Sequence, residues 1–394
     1  MKWFAYIVAG YFCFILNGCI TEYEAKGLEE MKNILVVEGI ITEGETLITL
    51  SRSVNLTDNN PSSVSYIDDA FVFVECDDGT LMQADEFAGI RNGQYVIQTG
   101  KLDFERQYRL KIEIEDEVYS DDCPVDQFGT VRCPKSIFEY CSDYMNPILT
   151  PDIDSIFWTK KDRGQPVNIH VATHSLNNAV LYYRWSYKED WEIISEIEYD
   201  EEFPYPCYCW NKANSRELLI GSAEKTVFGR LTDIVAEINP SEKKLEQLYR
   251  ITVKQNAISK RAYDYYNNIK KNSQQTGNIF APVQSELRGN IICITDPNKP
   301  VIGYVDISTS TQNQLYIPYE DMAYEFMPRP YDCNDVMQDT LLVWYEGVIP
   351  VMYVPHFWGY DDNFRRRLFY IHTNCVDCTN FGTTIKPDDW PNEH

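Results

Sequence analysis

From Asn33 onward the chain breaks into short runs rich in Val, Ile, Tyr and Phe, each closed by turn-forming residues, and this spacing constrains the fold more than any other feature. ILVVEGII (34–41), TLITLS (46–51), AFVFVEC (70–76), GQYVIQT (93–99), YRLKIEI (108–114) and EVYSD (117–121) have the length and composition of strands. Asp77-Asp78-Gly79 and Arg91-Asn92-Gly93 supply tight-turn chemistry between them. Roughly six strands over about ninety residues predict an immunoglobulin-like β-sandwich at 33–122. Residues 123–150 carry prolines and cysteines with little periodicity, and read as a linker. Strand signals resume at SIFWTK (155–160), VNIHVAT (167–173), VLYYRWSY (180–187), LYRITVKQ (248–255), GNIICI (289–294), VIGYVDIS (301–308) and LLVWYE (341–346). One helix stands out, with Ser259 as its N-cap and Ala262, Tyr265, Tyr266 and Ile269 at helical spacing before Gly277. The expected fold is mainly β: an N-terminal immunoglobulin-like sandwich, then a larger mostly β domain at 151–394 with one amphipathic helix.

The opening segment sets the compartment. Lys2 precedes Trp3 to Leu16, fourteen residues without a charge. Such a run is short for a membrane span, which takes about 18–20 apolar residues, and fits the apolar region of a secretory signal. Leu16-Asn17-Gly18-Cys19 follows and resembles the bacterial lipobox, in which cleavage before the cysteine leaves a lipid-bearing thiol. Residues 1–18 therefore read as a lipoprotein signal peptide, Cys19 as the lipidation site and 19–32 as a polar tether. The competing reading is a secreted chain whose Cys19 enters a disulfide. Glu22 and Glu24 resemble the acidic surface-export signal of Bacteroidota lipoproteins.

With 60 acidic against 35 basic residues, the formal charge is −25. A chain this acidic repels phosphate backbones, so nucleic acid is not an expected partner. Twelve cysteines include Cys13 and Cys19, and the other ten are Cys76, Cys123, Cys133, Cys141, Cys207, Cys209, Cys293, Cys333, Cys375 and Cys378. An even number behind an export signal points to disulfides, with pairing left open. Cys207-Tyr208-Cys209 and Cys375-Val376-Asp377-Cys378 offer four thiolates that would read as zinc ligands in a reducing compartment. Here disulfides are expected, and because close neighbours bridge only with strain, each pair should reach another segment and tie the tail to the body.

No nucleophile elbow, HExxH helix, phosphate loop or EF-hand loop occurs, so no catalytic residue is singled out and no cofactor is implied. His170 and His174 share one strand face by their even spacing and could hold zinc with a third ligand; two surface histidines are the expected outcome, and no metal site is assigned. Three aromatic stretches read as loops: YPCYCW (205–210), YIPYEDMAYEF (316–326) and VMYVPHFWGY (351–360). They supply the binding candidates Tyr205, Trp210, Tyr316, Tyr319, Tyr324, Phe357 and Trp358, whose rings could stack on a small oligomeric ligand or fill a partner's pockets. Arg365-Arg366-Arg367 reads as an internal charge partner for the acidic surface.

Several pieces together resemble a family of Bacteroidota outer-membrane lipoproteins, domain of unknown function 4249. They are the strand into Gln255, the Ser259 helix, Gly277-Asn278-Ile279-Phe280, Gly289-Asn290-Ile291, Gly303-Tyr304, the Cys375 and Cys378 pair, and Lys386-Pro387 with Trp390. Phe381-Gly382-Thr383 and Pro387-Asp388-Asp389-Trp390 depart from the Gly-Gly and Pro-x-Phe-Trp usual at the tail. The resemblance implies genes beside TonB-dependent transporters and brings no catalytic residues. The expected function is an outward-facing, lipid-anchored outer-membrane protein that partners a TonB-dependent transporter in nutrient uptake. A surface glycan hydrolase and a structural or adhesive envelope module stay open as alternatives.

Overall fold

The computed structural model describes residues 34–53, 65–85, 92–117, 124, 134–175, 179–197, 199–226, 229–240, 242–275, 289–322, 333, 337–338 and 352–391. The chain is mainly β. In the first sandwich, Leu35–Gly39 lies between Val301–Gly303 and Gly44–Arg52, and Gly44–Arg52 also pairs with Gln94–Gly100. The facing sheet runs Ile291–Cys293, Lys135–Ser142, Tyr108–Glu117, Phe71–Cys76 and Leu81–Gln83. Alternate side chains turn inward, as the two-residue repeat of a strand requires. Ile48, Leu50, Val72, Val74, Ile97, Leu110 and Ile112 are fully buried in one shared core. Each such side chain contributes about 1.5–3 kcal/mol of burial.

Two of these strand groups come from outside residues 33–122. Lys135–Ser142 falls in the stretch expected to be a linker, and 291–303 in the stretch expected to belong to the larger domain. They cover Tyr108–Glu117 and Leu35–Gly39, which would otherwise be edges with unpaired backbone groups. Glycines make the return possible. A Cβ on Gly289 would overlap the carbonyl oxygen of Gly303, and one on Gly303, at φ 155°, would press on the carbonyl of Val37. Beside them the buried Asn290 donates Nδ2 to the Val305 carbonyl at 2.7 Å and accepts the Val305 N–H at 2.9 Å.

The second sandwich packs Ile153–Thr159, Val167–His174 and Arg230–Ile238 against a sheet ordered Tyr208–Asn214, Tyr182–Ile194, Tyr249–Ala257, Ser310–Ile317. Leu219–Ser222 pairs with the start of Tyr182–Ile194. Ile169, Val171, Tyr183, Tyr249, Ile251 and Val253 fill the interior. Gln255, fully buried, crosses it: its Nε2 donates to the Pro151 carbonyl (2.8 Å) and Thr173 Oγ1 (3.1 Å), and its Oε1 accepts from Trp185 Nε1 (2.8 Å).

The helix Lys260–Gln275 begins where the Ala262 N–H donates to Ser259 Oγ at 3.2 Å. Its Ala262, Tyr265 and Tyr266 face Tyr182 of the second sandwich and Tyr304 beside the first. Tyr266 Oη donates to the Tyr304 carbonyl at 2.8 Å, so the helix fastens the two sandwiches together. Gly277 and the strand-like run 341–346 lie outside the described residues, as do residues 118–121. A small third sheet joins Met337–Gln338, Arg366–His372 and Tyr353–Tyr360. Among the described residues no helix is long and apolar enough to cross a membrane.

Candidate functional site

Cys209 is bonded to Cys378, and Cys333 to Cys375. Cys76, Cys141, Cys207 and Cys293 are free thiols, whereas Cys19, Cys123, Cys133 and Tyr324 lie outside the described residues. The sequence offers Cys141, Cys207 and Cys293 for bridging: Cys207 stays free because Cys209 takes Cys378, and the register explains why Cys141 and Cys293 stay apart. Cys141 stands opposite Ile292 and Cys293 opposite Tyr140, so a one-residue offset sends their side chains to opposite faces. Burial pushes the Cys141 thiol up to about 11, with Arg109 offsetting part of the effect, which leaves it a poor nucleophile.

The aromatic candidates sort into separate places, and of the stretches read as loops 351–360 is largely strand, while 205–210 and 316–326 hold strand, among the described residues, only at Tyr208–Trp210 and Tyr316–Ile317. Phe357 and Trp358 belong to a hairpin formed by Tyr353–Tyr360 and Arg366–His372. At its base Ile371 and Val354 pack with Tyr205, Val376 and the Cys333–Cys375 bridge. Burial, and then Asp377 and Tyr370, raise the Tyr205 hydroxyl above its ordinary value. At the turn, Asp361 Oδ1 accepts the N–H groups of Asn363 and Arg365 at 2.9 and 2.8 Å, and its Oδ2 accepts from Arg367 Nε at 3.3 Å. These bonds, the Arg365 N–H first, hold the carboxyl below the usual carboxylate range. Phe364 is held at φ 58° with 89% of its surface exposed. A bulky residue is seldom found in that left-handed conformation.

Along the hairpin, Phe357 stacks on Phe369 at 4.8 Å across one face. On the other, Arg366 lies over Trp358 at 4.7 Å with Tyr360 beside them. Trp358 and Tyr360 remain 44% and 70% exposed. Large exposed rings on a braced element make a contact surface rather than a core.

Trp210 and Tyr316 lie elsewhere, on the outer face of the second sandwich. Lys212, Asp190, Arg250 and Tyr316 stand opposite one another on successive strands and share that face, and Trp210, opposite Glu192, is two residues along. Arg250 and Asp190 form a buried ion pair at 2.8 Å, each 1% exposed. The C-terminal tail covers them: Asp389 reaches Arg250 at 2.8 Å and the Trp390 ring lies 5.2 Å from its guanidinium. Burial opposes the Arg250 charge, but hydrogen bonds with Asp190, Tyr316 and Asp389 outweigh it and raise its pKa. The tail is pinned by the Cys209–Cys378 bond, by paired 2.8 Å backbone hydrogen bonds between Trp210 and Thr383, and by Asn211 Nδ2 donating to the Phe381 carbonyl. Between tail and sheet a cleft of about 690 Å³ stays open.

Tyr319, three residues beyond Tyr316, opens the short helix Tyr319–Met322 and does not line the cleft. His170 stacks on Phe157 at 4.9 Å and bonds Thr159 Oγ1 at 2.8 Å, and His174 bonds Asp154 at 2.7 Å. Among the described residues no group of three or more His, Cys, Asp and Glu side chains is placed to hold a metal. Sequence reading missed Asp190, Lys212 and Asp389 in the cleft and Arg250 behind it. The charged alternation Lys188, Asp190, Glu192 along one strand was the signal that could have marked it.

A family model described as Domain of unknown function (DUF4249) matches residues 20–314. The matched span takes in nearly all of both sandwiches and the helix, and stops short of the hairpin and tail. No curated protein matches the chain. Its glycine pair 289 and 303, Gln255 and the Ser259 helix all fall inside the matched span, and with well over half of its length matched the chain belongs to the DUF4249 family.

Proposed function

We propose that this protein is an outward-facing, lipid-anchored partner of a TonB-dependent outer-membrane transporter in nutrient uptake, held to the membrane through Cys19. The observation that carries the reading is the braced hairpin with Trp358, Tyr360 and Phe364 exposed near its end. A few large rings supply most of the affinity in protein contacts, and a hairpin fixed at its base loses little freedom on binding. The lipobox-like Leu16-Asn17-Gly18-Cys19 supports the anchoring, as does a family match that starts at Ile20.

The test is co-purification of the tagged protein from detergent-solubilised outer membrane, with the captured partners identified by mass spectrometry. The reading expects a TonB-dependent transporter with the wild type and at least about tenfold less of it with Trp358→Ala plus Phe364→Ala. Equal capture by both, or capture of no transporter, overturns it. Intact-mass measurement should find the mature chain starting at a lipid-modified Cys19.

A further inference from the structure

We infer that the cleft beneath the C-terminal tail is a binding site for a short neutral oligosaccharide. Its volume, about 690 Å³, lies within the range of small-ligand sites, about 300–1,000 Å³. Three lysines and three aspartates line it: Lys188, Lys212, Lys386, Asp190, Asp388 and Asp389. In a chain with a formal charge of −25 this is a locally balanced patch, which suits an uncharged, hydroxyl-rich ligand.

The hydrogen-bonding capacity left in and around the cleft has a definite character. Asp190 and Asp389 are committed to Arg250, and Lys188 to Asp190. The side chains of Lys212 and Asp388 have no partner among the described residues, so one donor group and one acceptor group of the lining are uncommitted. The indole nitrogen of Trp210, also in the lining, is buried without an acceptor. Immediately behind the cleft, Arg250 Nε and Trp390 Nε1 are buried without one too. None of these three nitrogens is open to the cleft, so the groups a ligand can reach are the Lys212 ammonium, the Asp388 carboxylate and the exposed part of the Trp210 ring. A sugar matches them: its hydroxyl oxygens accept from Lys212, its hydroxyl protons go to Asp388, and an apolar sugar face lies on the Trp210 ring.

The site stands apart from the hairpin, so failure to capture a transporter would leave it intact. The test is calorimetric titration of the whole protein with maltotriose, cellotriose and mannotriose. One of them should bind at about 1 mM or tighter. Lys212→Met changes an exposed side chain, so its fold can be verified by an unchanged melting temperature. It should weaken that binding about threefold or more through one lost charge-assisted hydrogen bond. Trp210→Ala, where its melting curve shows it folded, should weaken it about tenfold. Binding that Lys212→Met leaves unchanged overturns the assignment. So does the absence of binding by all three sugars at about 10 mM.

Discussion

Gln255 is a polar residue placed where the sandwich interior should be apolar, and its three hydrogen bonds explain why it is accepted there. Gln255→Leu would leave Trp185 Nε1 without its acceptor in a fully buried setting, while the Pro151 carbonyl would keep the hydrogen bond from Thr311 Oγ1. The expected loss is about 1–3 kcal/mol of unfolding free energy, read as a lower denaturant midpoint at unchanged slope. Asp389 argues at the same scale about pH. The hydrogen bond from Arg250 lowers its pKa below the ordinary 3.8. Its contribution is therefore fully present above that value and is lost as pH falls through the lower folded-state pKa. Trp390 lies against Arg250 beside it, so its fluorescence should change on acidification below about pH 4, and Asp389→Asn should abolish that transition. These partners were not legible in the sequence, because Asp190, Arg250 and Asp389 are far apart along the chain and meet only through strand register and tail docking.

At the scale of elements, alternation was readable wherever one face of a strand is buried and the other wet. Val167–His174 reads inward and outward by turns, and its burial follows the same rhythm. VMYVPHFWGY hid its strand because it lacks polar alternation, and Pro355 and Gly359 look like breakers. The two cysteine clusters announced tethering of the tail, whereas the pairing of Cys209 with Cys378 and of Cys375 with Cys333 depends on how strands bring them within reach. The Cys209–Cys378 link closes a sequence separation of 169 residues. Loop-closure arguments assign a link of that span about 4–5 kcal/mol. Replacing both cysteines by serine should lower the melting temperature and expose Trp210, with faster quenching of tryptophan fluorescence by acrylamide as the check.

For the whole molecule, the decisive feature is that the first sandwich is finished by a segment that arrives after most of the second has been made. Residues 34–142 alone lack Ile291–Cys293 and Val301–Gly303, so both sheets would end in unpaired edges and Val305 and Ile307 would be missing from the core. This fragment should show broad, poorly dispersed amide resonances, whereas the whole chain should unfold with the two sandwiches coupled. The sequence by itself determined the β-rich class, the helix at Ser259, the acidic character and the family, because these follow from local periodicity, composition and short motifs. Tertiary structure alone decided the return of residues 289–308, the disulfide partners, the buried Arg250–Asp190 pair and the cleft. Each of those depends on which strands become neighbours, and strand pairing over long sequence distances is set by the burial of shared faces, not by the residues on either side of a strand.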